Sequence, residues 1–432
     1  MEWSILALIL LVVFILMLIS GLPVAIAMIG SSVFLIMFFL PRSAMAQLPT
    51  IIFRTGTNFS LLTIPLFILM AGIISKTGLT DDLFAMMKKW LGHLPGGLGI
   101  ASVAACAAFG AVTGSSIATT VTIGSIAIPE MRKAGYDGTF ATAIIASAGP
   151  LGTLIPPSNT GILYGVITET SIGKIFIANI FPGLLLSFMF MVYIAVSVWL
   201  KPSLAAPSPK YSWAEKVKSL KKVLGIVILM FIVMGSIYGG ICTPSEAAAL
   251  GCSGALIIAI SLKKLSLTVM REIFYEVIKS TSTIMLLLIG TFLLGYVIIY
   301  GDIATHLTEL FLGFSDNKWI IISVVYALFI FLGMLMDPMA IVCLVIPLIF
   351  PILVKVGFDP IWIGVMVVVT SMIGFVSPPV GLTTYVAHSF SKDLSLGKLM
   401  VAVIPFCLVM IVFLIIITIF PSIALWLPNH ML

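Results

Sequence analysis

The chain has 432 residues, 61% of them hydrophobic and 9% charged, with a mean hydropathy of +1.26. Soluble domains carry about a quarter charged residues, so this chain cannot cover a water-facing surface and takes lipid as its solvent. That excludes a soluble enzyme or a nucleic-acid binder, and the net charge of +6 comes from basic residues in short loops, as a positive-inside bias produces.

In chain order, ten spans of about 20 apolar residues are expected near 3–20, 22–40, 60–75, 138–167, 175–200, 223–241, 244–262, 281–300, 360–387 and 399–427. The first has no basic leader region and no cleavage site before a polar domain, so it reads as a retained span. Segment 76–93 alternates apolar and charged residues at helical spacing, as an interfacial helix does. Two stretches, 98–128 and 319–351, carry a break at their midpoint: Gly114-Ser115-Ser116 in one and Met336-Asp337-Pro338 in the other. Backbone freed at mid-depth is tolerated only where protein or a cavity surrounds it, so both read as re-entrant hairpins.

With that topology, seventeen Lys and Arg fall on one face and five (Arg42, Arg54, Lys174, Lys318, Lys355) on the other. The first face is therefore cytoplasmic and both termini are periplasmic. Lys201 to Lys222, rich in lysine and proline, reads as a linker between halves.

Gly135-Tyr136-Asp137 recurs as Gly357-Phe358-Asp359, an offset of 357 − 135 = 222. The same offset carries Pro156-Pro157 onto Pro378-Pro379, Gly152 onto Gly374, and Ser115-Ser116 onto Asp337-Pro338. One ungapped register joining hairpin tip, turn and double proline indicates a duplication, and the opposite entry sides make it inverted. The expected fold is an all-α polytopic membrane protein: an inverted-topology repeat with two re-entrant hairpins and two discontinuous transmembrane helices. Its segments are scaffold helices with the interfacial helix (1–93), repeat 1 (94–200), linker (201–222), scaffold of the second half (223–300) and repeat 2 (301–432). Secondary transporters recurrently use this plan, with their site at the midplane.

Each double proline removes two backbone donors, freeing carbonyls near Gly152 and Gly374. Freed carbonyls suit a hard monovalent cation, and half-helix N-termini suit an anion. Ser115, Ser116, Thr119 and Thr120 add hydroxyls at the first tip, whereas Ala104 to Ala111 reads as small-residue packing. Asp337 is the only acid inside a hairpin and either binds a cation or caps the helix that Pro338 opens. Thr243-Pro244-Ser245-Glu246 has the spacing of a capping box, and Asp137 and Asp359 read as helix punctuation.

Five cysteines without a CxxC pair support neither a disulfide framework nor zinc, and the four histidines have no ligand-spaced partner. With no GxxxxGK[ST], HExxH or GxSxG motif the chain reads as no enzyme, and energy must come from an ion gradient or a partner.

Seven ordered blocks resemble the large membrane subunit (DctM family) of tripartite ATP-independent periplasmic (TRAP) transporters, of the ion-transporter superfamily. They are IPLFILMAG (from Ile64), GHLPGGL (Gly92), GSSIATTVTIGSIAIPEMRKAGYD (Gly114), GTLIPPS (Gly152), TPSEAAA (Thr243), GMLMDPMA (Gly333) and SPPVGLTTYVA (Ser377). Asn159-Thr160 departs from the family, where apolar residues commonly follow Pro-Pro-Ser.

The resemblance implies an inner-membrane, elevator-type importer of an organic acid, with sodium as coupling ion and no other cofactor. It also implies a small four-helix membrane subunit (DctQ-like) and a periplasmic substrate-binding protein (DctP-like) as partners, beside the lipid bilayer. Carried across, Ser115, Ser116 and Gly152 would frame one sodium site, and Asp337 with Gly374 to Ser377 the other. The solute carboxylate would lie between Ser158, Asn159 and Thr160 on one side and Thr383 and Thr384 on the other. The competing readings are a stand-alone ion-coupled symporter without binding protein and, from another class, a channel or membrane scaffold.

Overall fold

A computed structural model describes residues 3–206, 210–314 and 317–430. Among these residues the secondary structure is helical, with no strand. Eight helical segments are 18 residues or longer and apolar enough to cross a membrane. Trp3–Ile19 and Val24–Phe38 are apolar but only 17 and 15 residues long, about 25 and 22 Å at 1.5 Å per residue.

The hairpins form where the sequence breaks. Gly97–Thr113 and Ser116–Lys133 make the first; Gly114 turns the chain at φ +61° and the Ser115 hydroxyl caps the second arm by accepting from the Ala118 amide at 3.4 Å. Lys318–Gly333 and Pro338–Lys355 make the second, opened by Asp337 as N-cap and Pro338 at N1. Adding 222 to Ser116–Lys133 gives 338–355, so these two arms coincide end to end.

The repeat runs wider than 94–200 and 301–432. The same shift carries Val24–Phe38 onto 246–260, inside Pro244–Ser261, and Leu79–Leu91 onto 301–313, beside Ile303–Phe314. It also carries Thr63–Lys76 onto 285–298, inside Leu267–Tyr300. Essentially the whole chain is therefore two copies. They pack crosswise: Val24–Phe38 lies on Leu267–Tyr300 and Pro244–Ser261 on Thr63–Lys76. Leu79–Leu91 lies on Trp213–Tyr238, and Ile303–Phe314 on Trp3–Ile19. A swap of this kind is what a two-fold axis between inverted copies produces.

Some boundaries depart from the sequence expectation. Residues 213–222 of the linker already belong to the helix Trp213–Tyr238, because Ser212 and Glu215 close a capping box that starts it before its apolar part. The last span ends at Ile419, and Pro421 separates it from a short helix, Ser422–His430. Residues 42–56, between the second and third expected spans, form two short helices, Arg42–Met45 and Gln47–Gly56. Thr243 and Glu246 make the expected capping box, and Asp137 and Asp359 cap the helices that follow them.

The interfacial helix Leu79–Leu91 buries Leu79, Leu83 and Phe84 and holds its charges outward. Lys88 pairs with Glu130 at 2.7 Å, at the base of the first hairpin, and Asp82 with Lys222 at 3.2 Å.

Candidate functional site

Each hairpin tip meets the broken helix of its own copy. In the first copy that helix is Gly138–Ala148, a short turn Leu151–Leu154, a cis Pro156-Pro157 bond and Asn159–Thr168. In the second it is Pro360–Val376, a cis Pro378-Pro379 bond and Leu382–His388. The matching cis bonds fall at the predicted register.

The contacts are made through glycine. A β-carbon on Gly110 would stand 2.5 Å from the Gly152 α-carbon, and one on Gly333 2.9 Å from the Gly374 α-carbon. Nothing larger than hydrogen fits there, so hairpin and break touch backbone to backbone. The AACAAFGA run is thus small-residue packing, while its Gly110 is also part of the site, a role not read from the sequence. The adjoining glycines alone signalled it.

Around Gly152 the donors are oxygens. A β-carbon there would meet the Ser115 carbonyl at 2.8 Å and the Thr119 hydroxyl closer still. The residue four on from Gly152 is Pro156, which has no N–H to give its carbonyl. Ser116 and Thr153 hydroxyls lie 3.1 Å apart, and those of Thr113 and Thr119 3.0 Å apart. Ser115, Ser116 and Gly152 are therefore drawn together, with Thr119 and Thr153 added. Oxygen donors of this kind fit a hard cation.

The second triplet is looser. The half-buried Asp337 accepts from the Met339 amide at 2.9 Å, which makes it the helix cap. The Gly374 carbonyl accepts from the Ser377 amide at 3.0 Å. The Ser377 hydroxyl donates to the Ile373 carbonyl at 2.6 Å and lies 3.4 Å from Cys407 Sγ. Among the described residues no hydrogen bond joins Asp337 to Gly374 or Ser377. Gly333 against Gly374 is what brings hairpin and break together.

The expected solute residues are buried, and several already have partners. Ser158 donates to the Thr153 carbonyl at 2.5 Å, replacing the N–H that Pro157 lacks, and accepts from the Gly161 amide at 3.2 Å. Thr383 donates to the Phe375 carbonyl, replacing the N–H that Pro379 lacks, and Thr384 to the Val376 carbonyl at the end of the helix, each at 3.1 Å. The Asn159 backbone N–H donates to the Gly114 carbonyl at 3.4 Å, tying break to tip. The Thr160 hydroxyl is fully buried and has no partner.

The half-helices cross to the other copy: Asn159–Thr168 packs on Pro338–Lys355, and Leu382–His388 on Ser116–Lys133. Tyr164 donates to the Pro360 carbonyl at 2.6 Å, joining one broken helix to the start of the other.

Inverted copies, paired re-entrant hairpins and two interrupted helices meeting at oxygen-rich breaks define a membrane transport protein. At the level of fold, the chain is similar to the YdaH transporter of Alcanivorax borkumensis, with a TM-score of 0.62, 14% identity and 90% of each chain covered. Residues 11–423 match the family described as "Tripartite ATP-independent periplasmic transporter, DctM component", and the chain belongs to that family as a TRAP transporter large permease subunit. It is 37% identical over 399 residues to the C4-dicarboxylate TRAP transporter large permease protein DctM of Pseudomonas aeruginosa, covering 91% of this chain and 92% of that one. It is 33% identical to the isethionate TRAP transporter permease protein DctMQ of Oleidesulfovibrio alaskensis, covering 96% of this chain and 65% of the relative.

Proposed function

We propose that this chain imports an organic acid into the cytoplasm of a bacterium, driven by sodium, by an elevator movement, and that both its termini face the periplasm. The observation that carries this reading is the glycine-mediated contact of each hairpin with a double-proline break, repeated in two inverted copies. The Gly152 carbonyl with the oxygens of Ser115, Ser116, Thr119 and Thr153 would hold one sodium ion. Asp337 and the Gly374 to Ser377 segment would hold a second. The solute carboxylate would sit at the N-termini of Asn159–Thr168 and Leu382–His388, where backbone amides and the helix dipole favour an anion.

An elevator needs a rigid moving unit and hinges. The hairpins and broken helices form one packed body, and Leu79–Leu91 and Ile303–Phe314 are the arms connecting it to the remaining helices. One charge crossing 100 mV releases about 2.3 kcal/mol, so two sodium ions with a monoanionic acid use the membrane potential.

A periplasmic binding protein delivers the acid, and a small membrane subunit accompanies the chain. The name of the isethionate relative, DctMQ, of which this chain covers 65%, is consistent with a second membrane component. The names of the relatives, C4-dicarboxylate and isethionate, put small organic anions first among the solutes to test.

The test is reconstitution of the chain with its small subunit in proteoliposomes, and uptake of C4-dicarboxylates, isethionate and other organic acids across a sodium gradient, with and without binding protein. Uptake requiring sodium and binding protein is the expected result. Uptake by the chain alone would make it an independent symporter, and conductance in place of saturable uptake would make it a channel.

A further inference from the structure

Asn179 is the one asparagine of the helix Ile172–Leu200. Its side chain is completely buried, and neither its carbonyl oxygen nor its amide nitrogen has a hydrogen-bond partner. Unpaired polar atoms in a protein interior are costly, and a carboxamide with both ends unpaired is doubly so. Among the described residues no other side chain has two such atoms.

Its place in the fold explains what it waits for. Ile175, Asn179 and Gly183 are four residues apart and form one stripe of the helix. Ile175 Cγ2 stands 3.3 Å from where a β-carbon on Gly161 would lie, and Ile155 Cγ1 stands 2.6 Å from the corresponding point on Gly183. Gly161 and Ile155 bracket the double-proline break, so the helix face that carries Asn179 packs on both sides of the break, and Asn179, midway along that stripe, lies at the level of Pro156 to Thr160.

The break does not need an amide to be built. The residue 222 positions on is Val401, apolar and 66% exposed, yet the second break closes with the same cis bond and hydroxyl bridges. Asn179 is thus an addition to one copy, absent from the duplicated architecture.

A carboxamide offers N–H donors and a carbonyl acceptor side by side. A cation would engage the oxygen and leave the amide protons unpaired; a bare carboxylate would engage the protons and leave the oxygen. A carboxylate with a neighbouring hydroxyl pairs both. The N-terminus of the ten-residue helix Asn159–Thr168 opens at the same break and favours the anionic end, and the unpartnered Thr160 hydroxyl lies in its first turn.

We infer that Asn179 is a solute-recognition residue for a 2-hydroxy carboxylate, donating to a carboxylate oxygen and accepting from the hydroxyl. This rests on the proposed reading of the chain as an organic-acid importer.

The experiment uses the complete complex in proteoliposomes with its binding protein at saturation, and compares malate with succinate, which lacks the hydroxyl. Wild type is expected to favour malate. Asn179→Leu, of similar volume, should raise the malate KM by about tenfold or more, raise the succinate KM by less so that the preference for malate shrinks, and keep or raise the unfolding temperature, because two unpaired groups are gone. Equal loss on both acids with a lowered unfolding temperature would make Asn179 a packing residue and overturn the assignment. Retained uptake with tighter sodium dependence in Asn179→Asp would make it a cation ligand and overturn it too. Wild type moving succinate as well as malate removes the hydroxyl requirement and overturns the ligand class. If wild type also refuses every acid of the wider panel, the proposed function itself has failed.

Discussion

Arg132 and Asp393 meet through two parallel hydrogen bonds of 2.9 and 2.6 Å, Nη1 to Oδ1 and Nη2 to Oδ2. The pair joins the base of the first hairpin to the loop after the second broken helix, and adding 222 to Arg132 gives Val354, so the other copy has no equivalent. It ties the two copies together on the cytoplasmic face of the proposed topology.

The guanidinium holds the Asp393 carboxyl below its usual range. A carboxyl lowered by folding contributes fully above its unfolded value of about 3.9 and loses that contribution as pH falls through the folded value. The pair should therefore be constant through neutral pH and fail only in strong acid. Arg132→Gln, Asp393→Asn and the double variant should each slow uptake equally, by roughly twofold, since exposed pairs contribute little. Effects that add in the double variant would show that the two residues act separately.

Gly152→Ala and Gly374→Ala should both abolish transport. The new methyl at Gly152 would face the Ser115 carbonyl at 2.8 Å, and that at Gly374 the Gly333 α-carbon at 2.6 Å. Backbone cannot retreat as a flexible side chain can, so a cost of about 1–3 kcal/mol is expected in thermal unfolding. Gly295→Ala is the control: nothing lies within 4 Å, and alanine inside that helix should stabilise by about 0.5–1 kcal/mol with uptake unchanged.

Asp337→Asn keeps a side-chain oxygen to cap the Met339 amide and removes only the charge. Sodium-dependent uptake should fall by at least about tenfold while the complex still assembles, whereas Asp337→Ala should lose the cap as well, about 1 kcal/mol of stability. Full transport by Asp337→Asn would remove its charge from the mechanism.

Orientation is read by labelling. In a Cys242→Ser background, whose remaining cysteines are buried, the exposed Lys218→Cys should react with an impermeant maleimide only from the cytoplasm and Lys355→Cys only from the periplasm. The reverse pattern would invert the proposed topology.

Much of the architecture was legible in the sequence because it was written twice. A proline pair or a Gly-x-Asp turn carries little alone, but the shared offset joins hairpin tips, turns and double-proline breaks in one register. The extent of the duplication was missed because scaffold helices need only be apolar, and their side chains can diverge while the packing persists. Ile303–Phe314 escaped notice because it lies in the register of Leu79–Leu91 but has few charges. Of the site, the hydroxyls and glycines near the breaks could be read, while the direction of each hydroxyl could not. Ser158 and Thr383 turn to the carbonyls that Pro157 and Pro379 leave unpaired, and Thr384 to the Val376 carbonyl where the helix ends, a local repair visible only in three dimensions. Asn179 lay outside every motif, and only its burial and its missing partners distinguish it.

The crosswise packing of the copies has a consequence for how the protein is made. Val24–Phe38 packs on Trp3–Ile19 as soon as both are made, but its other partner, Leu267–Tyr300, and the Ile303–Phe314 neighbour of Trp3–Ile19 both come from the second half. At about 5–20 residues per second, the ribosome needs roughly 10–50 s to deliver them. For that interval the first half stands in the bilayer with the faces of Val24–Phe38 and Thr63–Lys76 that the second half covers still open, so newborn chains should depend on membrane chaperones until the second half arrives, and either half expressed alone should be degraded.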